Sequence, residues 1–117
     1  MGLSTHVLDT YHGRPAAGMT VSLYASGPAG LQLLRQVVLN SDGRGPGGPL
    51  LSNDELQAGT YRLVFDVAAY FRCQGVELPD PPFLDQVPLD FGIAHVSQHY
   101  HVPLVCTPWT YSTYRGS

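Results

Sequence analysis

The chain contains no lysine. Its six basic residues are all arginine, nine acidic residues bring the net charge to −3, and charged side chains make up 13% of the 117 residues, about half the usual share of ~25%. Neutralising phosphates takes many clustered cations, so nucleic acid is excluded as a partner. No apolar run approaches the ~18 residues of a membrane-spanning helix, so no membrane partner is expected. No basic segment is followed by an apolar stretch, so no export signal is expected. Cysteine is nearly absent too. Cys73 and Cys106 fit no metal or redox spacing and read as reduced, mostly buried thiols of a cytoplasmic protein. With so few charges on a small domain, part of the surface is expected to be covered in an oligomer.

What is abundant is chain-breaking residues, 13 glycines and 10 prolines. They rule out long helices and point to short strands joined by turns, while an apolar content of 44% rules out disorder. The length suits a single domain, residues 1–117, that buries about two thirds of its unfolded surface without staples. Hydrophobicity alternates with period two in Met19–Ala25, Tyr61–Phe65 and Val87–Ile93, the pattern of strands half-buried on one face. Residues 3–10, 31–39, 98–106 and 111–115 read as less regular strands, and Leu50-Leu51 as a short edge. Turns are expected at His12-Gly13-Arg14-Pro15, at Ser26 to Gly30, in a long loop from Asn40 to Pro49 and at Thr107-Pro108, where Gly, Pro, Asn and Asp supply the turn chemistry. Residues 66–75 can form the one helix, with Asp66 as N-cap and Gly75 as its stop. Seven or eight short strands with regular turns make an all-β sandwich the expected architecture.

Candidate chemistry lies in the histidines. On a strand, His99 and His101 face one way while Tyr100, Val102, Leu104 and Cys106 face the other. His6 shares its side of the first strand with Ser4 and Leu8. Neutral imidazoles accept protons near pH 7; a His-x-His pair joined by His6 or His12 also has the makings of a three-His zinc site. Arg44 sits in the Gly- and Pro-rich loop, where its guanidinium either is solvated or donates to a ligand's carbonyl oxygens. The sequence ends directly after a strand with Tyr114-Arg115-Gly116-Ser117, which either frays or is placed structurally.

These motifs resemble a family. Leu3-Ser4-Thr5-His6-Val7-Leu8-Asp9-Thr10 with Gly13-Arg14-Pro15-Ala16, then Asp42-Gly43-Arg44, Gly59 to Asp66 with Tyr70-Phe71, His99 to Leu104 and the final Tyr114-Arg115-Gly116-Ser117 are together similar to the transthyretin-related 5-hydroxyisourate hydrolases. The resemblance covers essentially the whole chain and is loosest over residues 26–50. It implies a transthyretin-like (prealbumin-like) sandwich of two four-stranded sheets with one short helix near residues 66–75. It also implies a homotetramer with active sites at the dimer–dimer interface, and hydrolytic ring opening of 5-hydroxyisourate to 2-oxo-4-hydroxy-4-carboxy-5-ureidoimidazoline in urate breakdown. Carried over by position, His6, Arg44 and His101 are the catalytic residues. His6, Arg44, Tyr114, Arg115, Gly116 and Ser117 bind the small-molecule substrate, and His99 is given no catalytic role. No metal and no cofactor is expected. Thr107-Pro108-Trp109-Thr110 and the Gly-rich Gly45-Pro46-Gly47-Gly48 depart from the family's usual pattern.

In the chemistry that the resemblance implies, one imidazole takes a proton from water, Arg44 polarises the attacked carbonyl, and the tail shapes the pocket; which histidine is the base stays open. The rivals are a transthyretin-like carrier of a small hydrophobic ligand, whose members lack a histidine at position 101 and the Tyr-Arg-Gly-Ser ending, and a zinc hydrolase.

Overall fold

The computed structural model describes residues 2–116. Eight strands and one helix run in the order β1 (Leu3–Asp9), β2 (Arg14–Pro15), β3 (Thr20–Gly27), β4 (Gly30–Val38), β5 (Gly59–Asp66), α1 (Val67–Cys73), β6 (Gln86–Ile93), β7 (Tyr100–Cys106) and β8 (Tyr111–Thr113). They form two four-stranded sheets, β2-β1-β7-β8 and β4-β3-β5-β6, so the expected sandwich is present. Every strand pair is antiparallel except β1 with β7, which runs parallel with Leu3 opposite Tyr100, Ser4 opposite His101 and His6 opposite Pro103.

Alternation sets what faces the core. Leu3, Thr5, Val7 and Asp9 of β1 and Tyr100, Val102, Leu104 and Cys106 of β7 are buried. The apolar members of both rows meet Val21, Leu23, Leu63, Phe65 and Val87 from the other sheet in one hydrophobic cluster. Truncating a fully buried residue such as Phe65 to alanine costs about 3–5 kcal/mol. The helix buries Val67, Ala68, Tyr70 and Phe71 and adds Val67, Tyr70 and Phe71 to the same cluster.

Three local expectations are corrected. Arg14-Pro15 is not only a turn: it folds back as β2 against Leu8 and Asp9, at the sheet edge where proline's missing N–H is harmless. Asp66 does not cap α1 with its side chain; its Oδ1 accepts from Gln86 Nε2 at 2.8 Å instead. Cys73 is exposed at the helix end, and only Cys106 is buried. Gly75 does stop the helix, at φ +82°, with its N–H on Arg72 O. Leu51 makes a single bridge to Leu3, and the last strand ends at Thr113, two residues sooner than expected.

Candidate active site

The outward face of β1 and β7 carries Ser4, His6 and His101. Parallel register places His6 two residues further along than His101's partner, so their Cα atoms are roughly 8 Å apart given ~4.8 Å between strands and ~3.3 Å per residue. That is room for a small planar ring between two imidazoles. Ser4 Oγ lies 2.7 Å from His101 Nδ1 and 3.3 Å from His99 Nε2. The rings of His99 and His101 stack at 6.4 Å between centroids.

Arg44 is brought to this face by a tightly organised loop. Asn40 Oδ1 accepts from the N–H groups of Asp42 and Arg44 at 3.0 and 3.1 Å, and Asn40 N donates to Arg44 O at 2.9 Å. Gly43 O accepts from Val7 N at 2.9 Å, which draws the loop onto β1, where Arg44 bridges His6. Glycine is required at 43: φ is +72° and a Cβ would stand 2.5 Å from Val7 O. The loop and strand enclose a cleft of about 370 Å³ lined by Ser4, Thr5, Asn40, Arg44 and His99 with Gly45, Gly47, Gly48 and Pro49.

Electrostatics keep both histidines neutral. Burial first, then the Arg44 cation, holds His6 below the ordinary imidazole value, with Asp42 opposing weakly. His101 is lowered by the same two causes and by His6 and His99. A permanent cation beside two unprotonated imidazoles can polarise a carbonyl and activate water at neutral pH.

The tail is split. Gly116 N donates to His101 O at 2.8 Å, and a Cβ on Gly116 would come within 2.5 Å of His101 Cδ2. Arg115 turns away: its guanidinium sits 4.3 Å from the Tyr100 ring centroid and donates to Gln98 Oε1 and His99 O at 3.1 and 3.2 Å. Tyr114 is exposed and, with Arg115, lines a separate apolar cavity of about 410 Å³ beside Leu89, Phe91, Tyr100 and Val102. Within one chain, then, His6, Arg44, His101 and Gly116 are brought together, and the side chains of Tyr114 and Arg115 are not. Ser117 lies outside the described residues. His12 is elsewhere as well, donating from Nδ1 to buried Asp9 at 2.6 Å. Among the described residues no group of three or more His, Cys, Asp or Glu is placed to hold a metal.

The HIUase/transthyretin family model matches residues 3–116. The chain belongs to this family. Curated relatives include the 5-hydroxyisourate hydrolase 2 of Rhizobium meliloti, 55% identical over 115 residues that cover 98% of this chain and 95% of that one. Among solved structures, an (S)-allantoin synthase aligns at TM-score 0.93 and 45% identity over 99% of this chain, which spans only 43% of the synthase. Sea bream transthyretin, solved in complex with thyroxine, aligns at TM-score 0.86 and 26% identity over 99% of this chain and 95% of its own. These neighbours include a hydrolase, a synthase and a thyroxine-bound transthyretin, and the histidine face has to distinguish among them. Two contributors to it were not singled out from sequence: Asn40, legible only as an Asx-turn residue two before Asp42, and Ser4, which carries no signal apart from its parity with His6.

Proposed function

We propose that this chain is a 5-hydroxyisourate hydrolase, opening the ring of 5-hydroxyisourate by hydrolysis of its cyclic amide to 2-oxo-4-hydroxy-4-carboxy-5-ureidoimidazoline. The observation that carries the reading is the convergence of two neutral imidazoles, His6 and His101, with Arg44 on one sheet face. The relative at 55% identity is itself named for this activity.

His6, Arg44 and His101 are the proposed catalytic residues. One imidazole takes a proton from water as its oxygen attacks the carbonyl. Arg44 donates to the oxygen on which negative charge grows, and the proton reaches the leaving nitrogen as the C–N bond breaks. A base is worth ~10²–10⁴-fold and one oxyanion donor ~10²–10³-fold; fixing substrate over the outward face of the two paired strands adds an orientation term. His6 and Arg44 are also proposed to bind substrate, completed by Tyr114, Arg115, Gly116 and Ser117. Arg115 contributes by pinning the tail to Tyr100 and Gln98.

The proposed assembly is a homotetramer in which this sheet face meets its copy across the dimer–dimer interface and turns the open cleft into a channel. The proposed setting is the cytoplasm, a reading supported by two thiols that are not paired with each other. No helix of the described residues is long and apolar enough to cross a membrane. The test is ultraviolet decay of freshly made 5-hydroxyisourate with and without protein, before and after exhaustive chelation. Accelerated decay that survives chelation is expected. Decay no faster than the uncatalysed rate overturns the hydrolase reading, and loss on chelation that zinc restores favours the zinc alternative. Light scattering checks the tetramer.

A further inference from the structure

Ser4 has one proton and two imidazoles beside it. A hydroxyl donates once and can accept twice; Ser4 Oγ has no other partner among the described residues, so its proton is used only when one of its contacts with His101 Nδ1 at 2.7 Å and His99 Nε2 at 3.3 Å is a donation, and the other is then an acceptance from an imidazole N–H. Two polarities satisfy the chain of contacts. In the first, His101 Nδ1–H donates to Ser4 and Ser4 donates to His99 Nε2, which places His99's own proton on Nδ1. In the second, His99 Nε2–H donates to Ser4 and Ser4 donates to His101 Nδ1, which places His101's proton on Nε2.

The buried end decides between them. His99 Nδ1 is buried and has no hydrogen-bond partner among the described residues. The first polarity puts an N–H there; the second puts a lone pair. A buried N–H without an acceptor is rarer than an under-used acceptor, and carries the full desolvation penalty of a donor. The second polarity also gives the shorter contact to the hydroxyl's own donation, which is stronger than what it receives at 3.3 Å.

We propose that His99 and Ser4 hold neutral His101 as its Nε2–H tautomer, so that His101 is a hydrogen-bond donor on the outward face of β1 and β7 and His6 is the general base. The inference rests on the hydrolase reading above and assigns the two roles that it leaves open. Ser4 and His99 are positioning residues: they act on substrate only through His101. The protons balance without a relay. Water's oxygen bonds to the carbonyl carbon as one of its protons passes to neutral His6. The resulting oxyanion accepts from His101 Nε2–H and from Arg44. Collapse breaks the C–N bond, and His6 returns its proton to the leaving nitrogen. His101 keeps its proton throughout, so the chain from His99 never has to move one. The charged and titratable groups acting on His101 are Arg44, His6 and His99. His6 faces Arg44 and, in the opposite sense, Asp42. The ascending limb of a pH–rate profile therefore reports His6.

The decisive measurement is a long-range ¹H–¹⁵N correlation spectrum of the histidine-labelled protein at pH ~8, above the ordinary imidazole pKa of ~6.5. The His101 signals are assigned by their loss in His101→Gln. A proton on Nε2 is expected; a proton on Nδ1 overturns the inference. Kinetics of Ser4→Ala supply the second arm. It is expected to lower the kcat plateau about tenfold, roughly what one hydrogen bond is worth, without moving the acidic limb, while Ser4→Thr keeps the hydroxyl and restores the plateau. An unchanged plateau, or a displaced limb, counts against the assignment. If Ser4→Ala does not fold, the wild-type spectrum and Ser4→Thr still decide. A wild-type protein inactive on 5-hydroxyisourate removes the hydrolase reading whatever the spectrum shows, whereas an active protein with His101 protonated on Nδ1 removes this assignment alone.

Discussion

Adding one methyl group at Gly116 should cripple catalysis and leave the fold alone. Gly116 does not occupy the left-handed region, so alanine introduces no backbone strain there. Space is the obstacle. An ideal Cβ at 116 stands 2.5 Å from His101 Cδ2 and 3.2 Å from its Cβ and Cγ, against the ~3.5–4.0 Å at which carbon atoms are comfortable. About 1 Å must be found. The ring is tied to Ser4 at 2.7 Å, and the tail is tied to the same histidine through Gly116 N and His101 O at 2.8 Å. Either the imidazole swings off Ser4 or the tail lifts from β7. A 1 Å misplacement of a reacting group costs roughly 10²-fold, so kcat of Gly116→Ala should fall by about two orders of magnitude. The assay is initial-rate decay of 5-hydroxyisourate at pH ~8, where the imidazoles are neutral, with melting temperature and oligomer size matched to wild type. Gly27→Ala is the control, because its Cβ would meet nothing closer than 3.9 Å. A kcat for Gly116→Ala within about threefold of wild type, under 1 kcal/mol of barrier, would mean that the tail does not rest on His101 in the working enzyme.

Arg44→Lys keeps a cation but loses the planar fork, and kcat/KM should fall by about 10²-fold as for loss of an oxyanion donor; near wild-type kcat/KM would return Arg44 to the solvent. Both imidazoles are held below their ordinary value, so kcat/KM should climb to its plateau with a midpoint below pH ~6.5, and Arg44→Gln, by removing a neighbouring cation, should move that midpoint upward; a downward shift refutes the electrostatic account. The same depressed values give a stability term present above the unfolded imidazole pKa and lost as pH falls through the folded ones, so the melting temperature should decline between pH 7 and 5 more than in a His6→Gln, His101→Gln double variant. Asp9→Ala strips a fully buried carboxylate from His12 and from Tyr70 Oη at 2.8 Å and should cost about 3 kcal/mol in chemical denaturation, with kcat per folded molecule retained; loss of kcat without loss of stability would place Asp9 in the active site.

Period-two alternation made the strands and their faces legible because burial on one side of a sheet is local information. The inward row Tyr100, Val102, Leu104, Cys106 needed nothing beyond counting by two, and so did the outward position of His101. Pairing was not legible. Nothing local says that β1 lies parallel to β7, some 95 residues away, and that pairing alone puts Ser4 across from His101. The β2 edge was hidden for a different reason: proline and glycine signal a turn wherever they occur, and only a free edge beside β1 makes Arg14-Pro15 a strand. Asp66 looked like a helix cap because aspartate favours that position. Gln86, its partner in the β5–β6 ladder, competes for the same oxygen and wins. Arg115 was grouped with the site through its tetrapeptide, but a strand ending at Thr113 lets its side chain fall on the aromatic face of Tyr100.

Strand β1 shows how stability and the proposed chemistry can share seven residues. Its inward positions Thr5, Val7 and Asp9 are buried and anchor the sheet. Asp9 reaches the helix through Tyr70 and the following turn through His12. Burial alone would raise the Asp9 pKa, but hydrogen bonds from the His12 ring and backbone and from Tyr70 outweigh it and the net shift is downward, so the anchor stays ionised at neutral pH. Its outward positions Ser4 and His6 lie on the histidine face, where burial first and then Arg44 hold the His6 imidazole below its ordinary pKa. A carboxylate on the outward face would do the reverse: beside His6 it would favour the imidazolium and disable the proposed base. The alternation that separates core from solvent therefore also separates the strand's one carboxylate from its one imidazole, and a one-residue slip of β1 against β7 would exchange them.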